Sequence, residues 1–160
     1  MKNLIVDGSN LLYRIYFAWG IKVEDTEDLS LVESFLICAK HYVEKYKADN
    51  VYVAWDQKLT HPSTNFRKDA ADVSYKGTRD YSKTKHVHDH DDLIMDLLTD
   101  LGVKNIYPNV MEADDVMSWL STTLDGQNII VSTDKDMWQL INYINVLLEM
   151  RLTIYKEFLV

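Results

Sequence analysis

Cysteine is nearly absent from this chain, with one in 160 residues. Cys38 has no partner to oxidise with, which excludes a disulfide scaffold and points to a reducing compartment. Its neighbours Leu36, Ile37 and Ala39 make it a small core residue. No apolar run approaches membrane-spanning length, and Met1-Lys2-Asn3-Leu4-Ile5-Val6-Asp7 lacks the long apolar stretch of a secretory signal. A cytosolic location and no membrane partner are therefore expected. Repeats and low-complexity tracts are also lacking. Positive charge is scarce: 17 Lys and Arg stand against 25 Asp and Glu, a net charge of -8. Taken as an average, that balance argues against a nucleic-acid partner, because phosphate contacts need a basic surface.

The distribution says otherwise. Between Lys58 and His88 stand seven basic residues (Lys58, Arg67, Lys68, Lys76, Arg79, Lys83, Lys85) against three acids (Asp69, Asp72, Asp80), which leaves ten basic and 22 acidic residues elsewhere. One basic segment in an acidic body suits an enzyme that grips phosphate in one place and holds cations in another.

A length of 160 residues, 47% hydrophobic and 26% charged, fits one globular domain spanning the whole chain. Short β-branched runs at Asn3 to Val6, Val51 to Trp55 and Asn128 to Ser132 read as buried parallel strands, with a weaker one at Val103 to Tyr107. Helical spacing marks Leu29 to Tyr46, Asp89 to Leu101 and Ala113 to Leu124. This alternation predicts an α/β layered fold with a mostly parallel central sheet and right-handed crossovers. The stretch near 57–88 is polar and weakly periodic, and reads as a long loop or arch, a kind of segment that is usually functional or disordered.

The three best strands run directly, or nearly so, into aspartates: Asp7, Asp56 and Asp134. In a parallel sheet the carboxyl ends share one edge, where α/β ligand sites form. Glu112, Asp114 and Asp115 open a helix whose Val116, Met117 and Leu120 face the core, and Asp136 lies at the mouth of another short helix. Seven carboxylates on one rim would repel and raise one another's pKa values. Hard divalent cations, above all Mg²⁺ or Mn²⁺, relieve that conflict. Two such ions about 4 Å apart can activate water, clamp a phosphate and stabilise the leaving oxygen. Each acid also has a plainer reading. Glu112, Asp114, Asp115 and Asp136 could complement helix dipoles, with Asn109 as a cap, and Asp7 could open an Asp7-Gly8-Ser9-Asn10 turn.

Leu4-Ile5-Val6-Asp7-Gly8-Ser9-Asn10, Trp55-Asp56, Tyr75-Lys76-Gly77-Thr78-Arg79, Glu112-Ala113-Asp114-Asp115 and Ser132-Thr133-Asp134-Lys135-Asp136 follow one another in a telling order. In order and approximate spacing they resemble the 5′-nuclease family, which includes phage flap endonucleases and the 5′-nuclease domain of bacterial DNA polymerase I. The resemblance covers about Asn3 to Leu140. It implies a PIN-like three-layer fold and a divalent-metal-dependent 5′-nuclease acting on DNA with 5′ single-stranded or flap ends. It further implies a first metal pocket of Asp7, Asp56, Glu112, Asp114 and Asp134, with Asp115 and Asp136 reaching toward a second ion. Lys76 and Arg79 would approach the scissile phosphate, Tyr75 would stack on a terminal base, and Lys83 and Lys85 would extend the nucleic-acid contact.

The family pattern continues into a helix-hairpin-helix region whose opening aspartates complete the second pocket. Here the only acids after Asp136 are Glu149 and Glu157, and an apolar tail at Ile144 to Leu152 reads as another strand or hairpin. Three readings stay open: the amino-terminal part of a split or truncated nuclease working with a separate carboxy-terminal polypeptide, a compact PIN-type ribonuclease, or a non-catalytic nucleic-acid-binding remnant. His86, His88 and His90 alternate, but without a cysteine they read as an extension of the polar arch and not as a zinc site. Trp55, Trp119 and Trp138 read as core fillers.

Overall fold

A computed structural model describes residues 1–20, 28–56, 87–108, 111–143 and 145–150. Its strands are β1 (Lys2–Asp7), β2 (Asn50–Ala54), β3 (Lys104–Ile106), β4 (Gln127–Val131) and β5 (Val146–Glu149). Its α-helices, in chain order, are α1 (Gly8–Trp19), α2 (Ser30–Tyr46), α3 (Asp91–Asp100) and α4 (Ala113–Thr123), and a 3₁₀ helix spans Lys135–Asn142. All pairings are parallel, in the order β3-β2-β1-β4-β5.

Side-chain alternation along the central strands builds two cores from one sheet. Leu4 and Val6 of β1, Val53, Ile129 and Val131 face α1, α2 and α3. Ile5, Tyr52, Ala54 and Ile130 face α4 and the 3₁₀ helix, where Val116, Met117, Leu120, Met137 and Leu140 cover them. The result is the expected three-layer α/β architecture. No helix among the described residues is long and apolar enough to cross a membrane.

Register is set at the amino edge by three asparagines lying level in the pairing, Asn50 beside Asn3 and Asn3 beside Asn128. Asn50 Nδ2 donates to Asn3 Oδ1 at 3.0 Å, and Asn3 Nδ2 donates to Asn128 Oδ1 at 2.8 Å. Asn128 Nδ2 then donates to the carbonyls of Ser121 and Leu124. Asn3 and Asn128 are buried, and slippage by one residue would strand these amides in an apolar layer.

Several elements depart from the sequence reading. Asp7-Gly8-Ser9-Asn10 opens α1 and is not a turn, because Leu11, Leu12 and Ile15 supply a buried stripe. Of the two readings given for the apolar tail, strand or hairpin, Val146–Glu149 bears out the strand, joining β4 as a parallel edge. Trp55 is core, stacked on Phe35 with ring centroids 5.6 Å apart, and Cys38 is buried. Trp119 and Trp138, by contrast, are 61% and 54% exposed. Trp119 falls off the α4 stripe of Ala113, Val116, Met117 and Leu120, and Trp138 turns its indole Nε1 to Met150 Sδ at 2.9 Å. His90 does not extend a polar arch, because it is buried at the start of α3. His88 is held at both ring nitrogens, Nδ1 against the buried Asp91 carboxylate at 2.9 Å and Nε2 against Tyr13 Oη at 2.7 Å. His86 lies outside the described residues.

Gly8 lets α1 start directly over β2. A Cβ there would meet the Trp55 indole at 2.8 Å and Val53 Cγ1 at 2.9 Å. Gly8→Ala is therefore expected to destabilise the chain by about 1–3 kcal/mol through overpacking. An unchanged urea midpoint would show that the indole yields freely.

Candidate functional site

Because β1, β2 and β4 run parallel and side by side, the residues that end them emerge on one edge. The strand order reverses at β1, whose neighbours are β2 on one side and β4 on the other. The carboxyl edge at such a reversal is the crevice where open α/β sheets bind ligands. Asp7, Asp56 and Asp134 all stand there, directly at or just beyond the ends of β1, β2 and β4.

Each of these acids is held by backbone and small polar groups. Asp7 caps α1: its Oδ1 accepts the Asn10 N–H at 3.0 Å, and its Oδ2 accepts the Ser132 hydroxyl at 2.9 Å. Asp56 donates its N–H to Ser9 Oγ at 3.1 Å and accepts the Ala113 N–H on Oδ1 at 3.3 Å, so it ties β2 to the start of α4. Asp134 caps the 3₁₀ helix by accepting the Asp136 N–H at 2.9 Å, and donates its own N–H to Ser132 Oγ at 3.1 Å. Ser132 thus fixes two acids with one hydroxyl, donating to the first and accepting from the second. Asn10 joins the same loop, because its Oδ1 accepts both the N–H and the hydroxyl of Thr133, at 3.2 and 2.9 Å.

Glu112, Asp114 and Asp115 stand at the amino end of α4. Glu112 is buried and forms a capping box with Asp115, whose carboxylate accepts the Glu112 N–H at 3.3 Å. Asp114 Oδ1 accepts the Asp115 N–H at 2.8 Å. The cap of α4 is therefore Glu112 itself, and Asn109 lies outside the described residues. Asp136 is exposed in the first turn of the 3₁₀ helix. Tyr75, Lys76, Arg79, Lys83 and Lys85, and most of the arch expected near 57–88, lie outside the described residues.

The electrostatics mark Asp7 apart. Burial pushes its carboxyl up to about 7 from the usual 3.8, and the negative charges of Asp56 and Asp134 push the same way. The Asn10 N–H and the Ser132 hydroxyl pull against them. An acid this buried, facing two others, gains from a cation that replaces its proton. The donor set is all oxygen, which suits a hard divalent ion. Among the described residues no three His, Cys, Asp or Glu side chains are gathered as ligands of one ion. The acids line an open rim and do not close a cage.

Ser9, Asn10, Ser132 and Thr133 escaped the sequence reading as parts of this site. Their signal was adjacency: small hydroxyl and amide residues flank strand-end aspartates, where they can orient a carboxylate without adding charge.

The family model of the 5′-3′ exonuclease N-terminal resolvase-like domain matches residues 2–159. The chain is 31% identical over 151 residues to a 5′-3′ exonuclease of Buchnera aphidicola subsp. Schizaphis graminum, covering 90% of this chain and 50% of that protein. It is 29% identical over 148 residues to DNA polymerase I of Streptococcus pneumoniae, covering 87% of this chain and 16% of that enzyme. In three dimensions it is similar to the bacteriophage T5 flap endonuclease in a pseudo-enzyme-product complex with DNA and metal ions. That likeness has a TM-score of 0.64 at 19% identity, covering 91% of this chain and 53% of that one. The chain thus spans about half the length, or less, of these proteins.

Proposed function

This chain belongs to the 5′-3′ exonuclease family, as its N-terminal resolvase-like domain, and on that premise we propose that it hydrolyses DNA phosphodiester bonds with divalent metal ions held on the carboxylate rim. The observation that carries this reading is the buried Asp7, whose carboxyl is raised to about 7 beside Asp56 and Asp134. A cap alone needs neither the burial nor the like-charged company. The alignment of acids from three strands and from the start of α4 adds to it.

In this reading Asp7, Asp56, Glu112, Asp114 and Asp134 would have to draw together from the open rim, where no three of them are gathered, to hold a first Mg²⁺ or Mn²⁺, and Asp115 and Asp136 would serve a second. When bound, such ions lower the pKa of water and offset charge on the phosphate. The chain's own residues orient the acids: Ser132 fixes Asp7 and Asp134, Ser9 fixes the backbone of Asp56, and the Ala113 N–H steadies its carboxylate. Lys76 and Arg79 are proposed to approach the scissile phosphate, where a fixed cation offsets transition-state charge and a guanidinium can fork two oxygens. Tyr75 is proposed to stack on the terminal base, with Lys83 and Lys85 on the backbone.

The proposed substrate is DNA with a 5′ single-stranded or flap end, and the proposed place of work is the cytoplasm, that of the host if the chain is phage-encoded. The chain acts as one domain over 1–160. The relatives carry length beyond the shared region, and a carboxy-terminal region of that kind is proposed to supply the duplex grip and the remaining ligands of the second ion.

The test is a substrate panel of 5′ flap, single strand, recessed duplex and structured RNA with Mg²⁺ or Mn²⁺. Cleavage near the 5′ end of the flap or single strand is expected. Preferential cutting of the RNA would replace this reading with a PIN-type ribonuclease. Neither cleavage nor stabilisation by the ions would leave a non-catalytic binding protein.

A further inference from the structure

The carboxylate rim is crowded with acceptors, yet a nucleic acid brings only more negative charge to it. Among the described residues of the rim, the amide of Asn10 offers hydrogen-bond donors that face no acceptor. Asn10 is the third residue of α1. Its backbone N–H is committed to Asp7 Oδ1 at 3.0 Å. Its Oδ1 is committed twice over, to the Thr133 N–H at 3.2 Å and to the Thr133 hydroxyl at 2.9 Å. Two donors converging on that oxygen settle which end of the amide is which, since an NH₂ cannot accept them.

The consequence falls on Nδ2. With Oδ1 pinned to the loop that leads into Asp134, and the backbone pinned to Asp7, the amide is clamped between two of the three strand-end acids. Its two N–H donors have no partner among the described residues, and the residue is partly buried, not sealed from solvent. Thr133 spends its hydroxyl proton on Asn10, and Ser132 spends its own on Asp7. Asn10 therefore keeps a fixed, neutral donor pair at the acid edge. Being neutral, it does not compete with a cation for the carboxylates, as a lysine there would.

We propose that Asn10 Nδ2 donates to a non-bridging phosphate oxygen of the nucleic acid and so registers the backbone beside the acids. This rests on the nuclease reading above and adds a phosphate-binding residue to it. The ligand chemistry is a phosphodiester carrying a full negative charge, since hydrogen bonds to charged acceptors are the strong ones.

The test pairs the residue with its partner atom. Fluorescent single-stranded DNA of one sequence is prepared with a neutral methylphosphonate at one linkage at a time. Its affinity for the full chain is measured with Ca²⁺, and with no ion, for wild type, Asn10→Ala and Asn10→Asp. Wild type is expected to lose about tenfold or more in affinity when the methylphosphonate reaches one particular linkage. Asn10→Ala should bind native DNA about tenfold more weakly, and should lose nothing further at that linkage. Asn10→Asp keeps an oxygen for both Thr133 donors, so its melting temperature should stay close to wild type while its DNA affinity falls at least as far. A merely structural role for Asn10 predicts that Asn10→Ala loses melting temperature together with affinity, while Asn10→Asp keeps its melting temperature and weakens equally at every linkage through its added charge. It also predicts losses that add at every linkage, and either result overturns the contact. If wild type binds no DNA under either condition, the nuclease reading fails and the contact with it; if wild type binds and the losses are additive, the contact alone fails.

Discussion

Asp7→Asn, Asp114→Ala and Asp134→Ala are each expected to lower cleavage of 5′-flap DNA by more than about a hundredfold, since even the outer partners of metal ligands are worth about 10–100-fold. The three substitutions differ in what else they do. Asn at position 7 keeps an oxygen for the Asn10 N–H and caps a helix about as well as Asp. A role confined to capping α1 would leave the Asp7→Asn enzyme active. Asp134→Ala also removes the acceptor for the Asp136 N–H at the mouth of the 3₁₀ helix, so some loss of stability should accompany the loss of activity. Asp114 accepts the N–H that follows it, at the first turn of α4. The decisive measurement is single-turnover cleavage alongside the melting temperature. Full activity in both Asp114→Ala and Asp134→Ala would remove the mechanism.

The second large effect is on stability against pH. Asp7 binds its proton more tightly folded than unfolded, because burial and the charges of Asp56 and Asp134 raise its carboxyl to about 7. In the ion-free protein the unfolded chain therefore releases this proton first as pH rises, near 3.8, while the folded chain holds it until about 7. Stability from this group is complete below pH ~4, falls between ~4 and ~7, and stays low above. At about 1.4 kcal/mol per pKa unit the full swing is a few kcal/mol. Asp7→Asn should erase it, leaving the ion-free variant more stable than wild type at pH 8 and similar near pH 4. Divalent ions should act in the opposite sense. Mn²⁺ at a hundred times its Kd contributes about 2.7 kcal/mol, or roughly 5–10 °C for a chain of this size. That gain should be largest at pH 8, shrink toward pH 5.5 as protons compete, and vanish in Asp7→Asn. Equal Mn²⁺ shifts in wild type and variant would place the ion elsewhere.

The three-layer arrangement was legible because its central strands are short, apolar and β-branched, a pattern that buried parallel strands share. The arrival of Asp7, Asp56 and Asp134 at one edge follows from that alone. α1 was hidden for a local reason. Asp-Gly-Ser-Asn is turn chemistry by composition, and Gly disfavours a helix, but here Gly8 is required by the Trp55 indole beneath it. The identity of the clamps was hidden too. Nothing in Ser132 or Asn10 as residue types tells that one hydroxyl would serve two acids or that one amide oxygen would take two donors. Trp119 and Trp138 misled through size: a large apolar ring predicts burial on average, whereas position on the helix decides it.

The asparagines at the far end of the sheet carry a consequence for reading mutational data. Asn3 and Asp7 share one strand, separated by about 13 Å at ~3.3 Å per residue. Asn3, Asn50 and Asn128 act as a gauge that brings three strands out flush at the opposite end. Loss of one amide would leave every acid in place by sequence and yet uneven in height. Such a lesion would masquerade as a defect of chemistry in a screen, although no altered atom comes near the reacting bond.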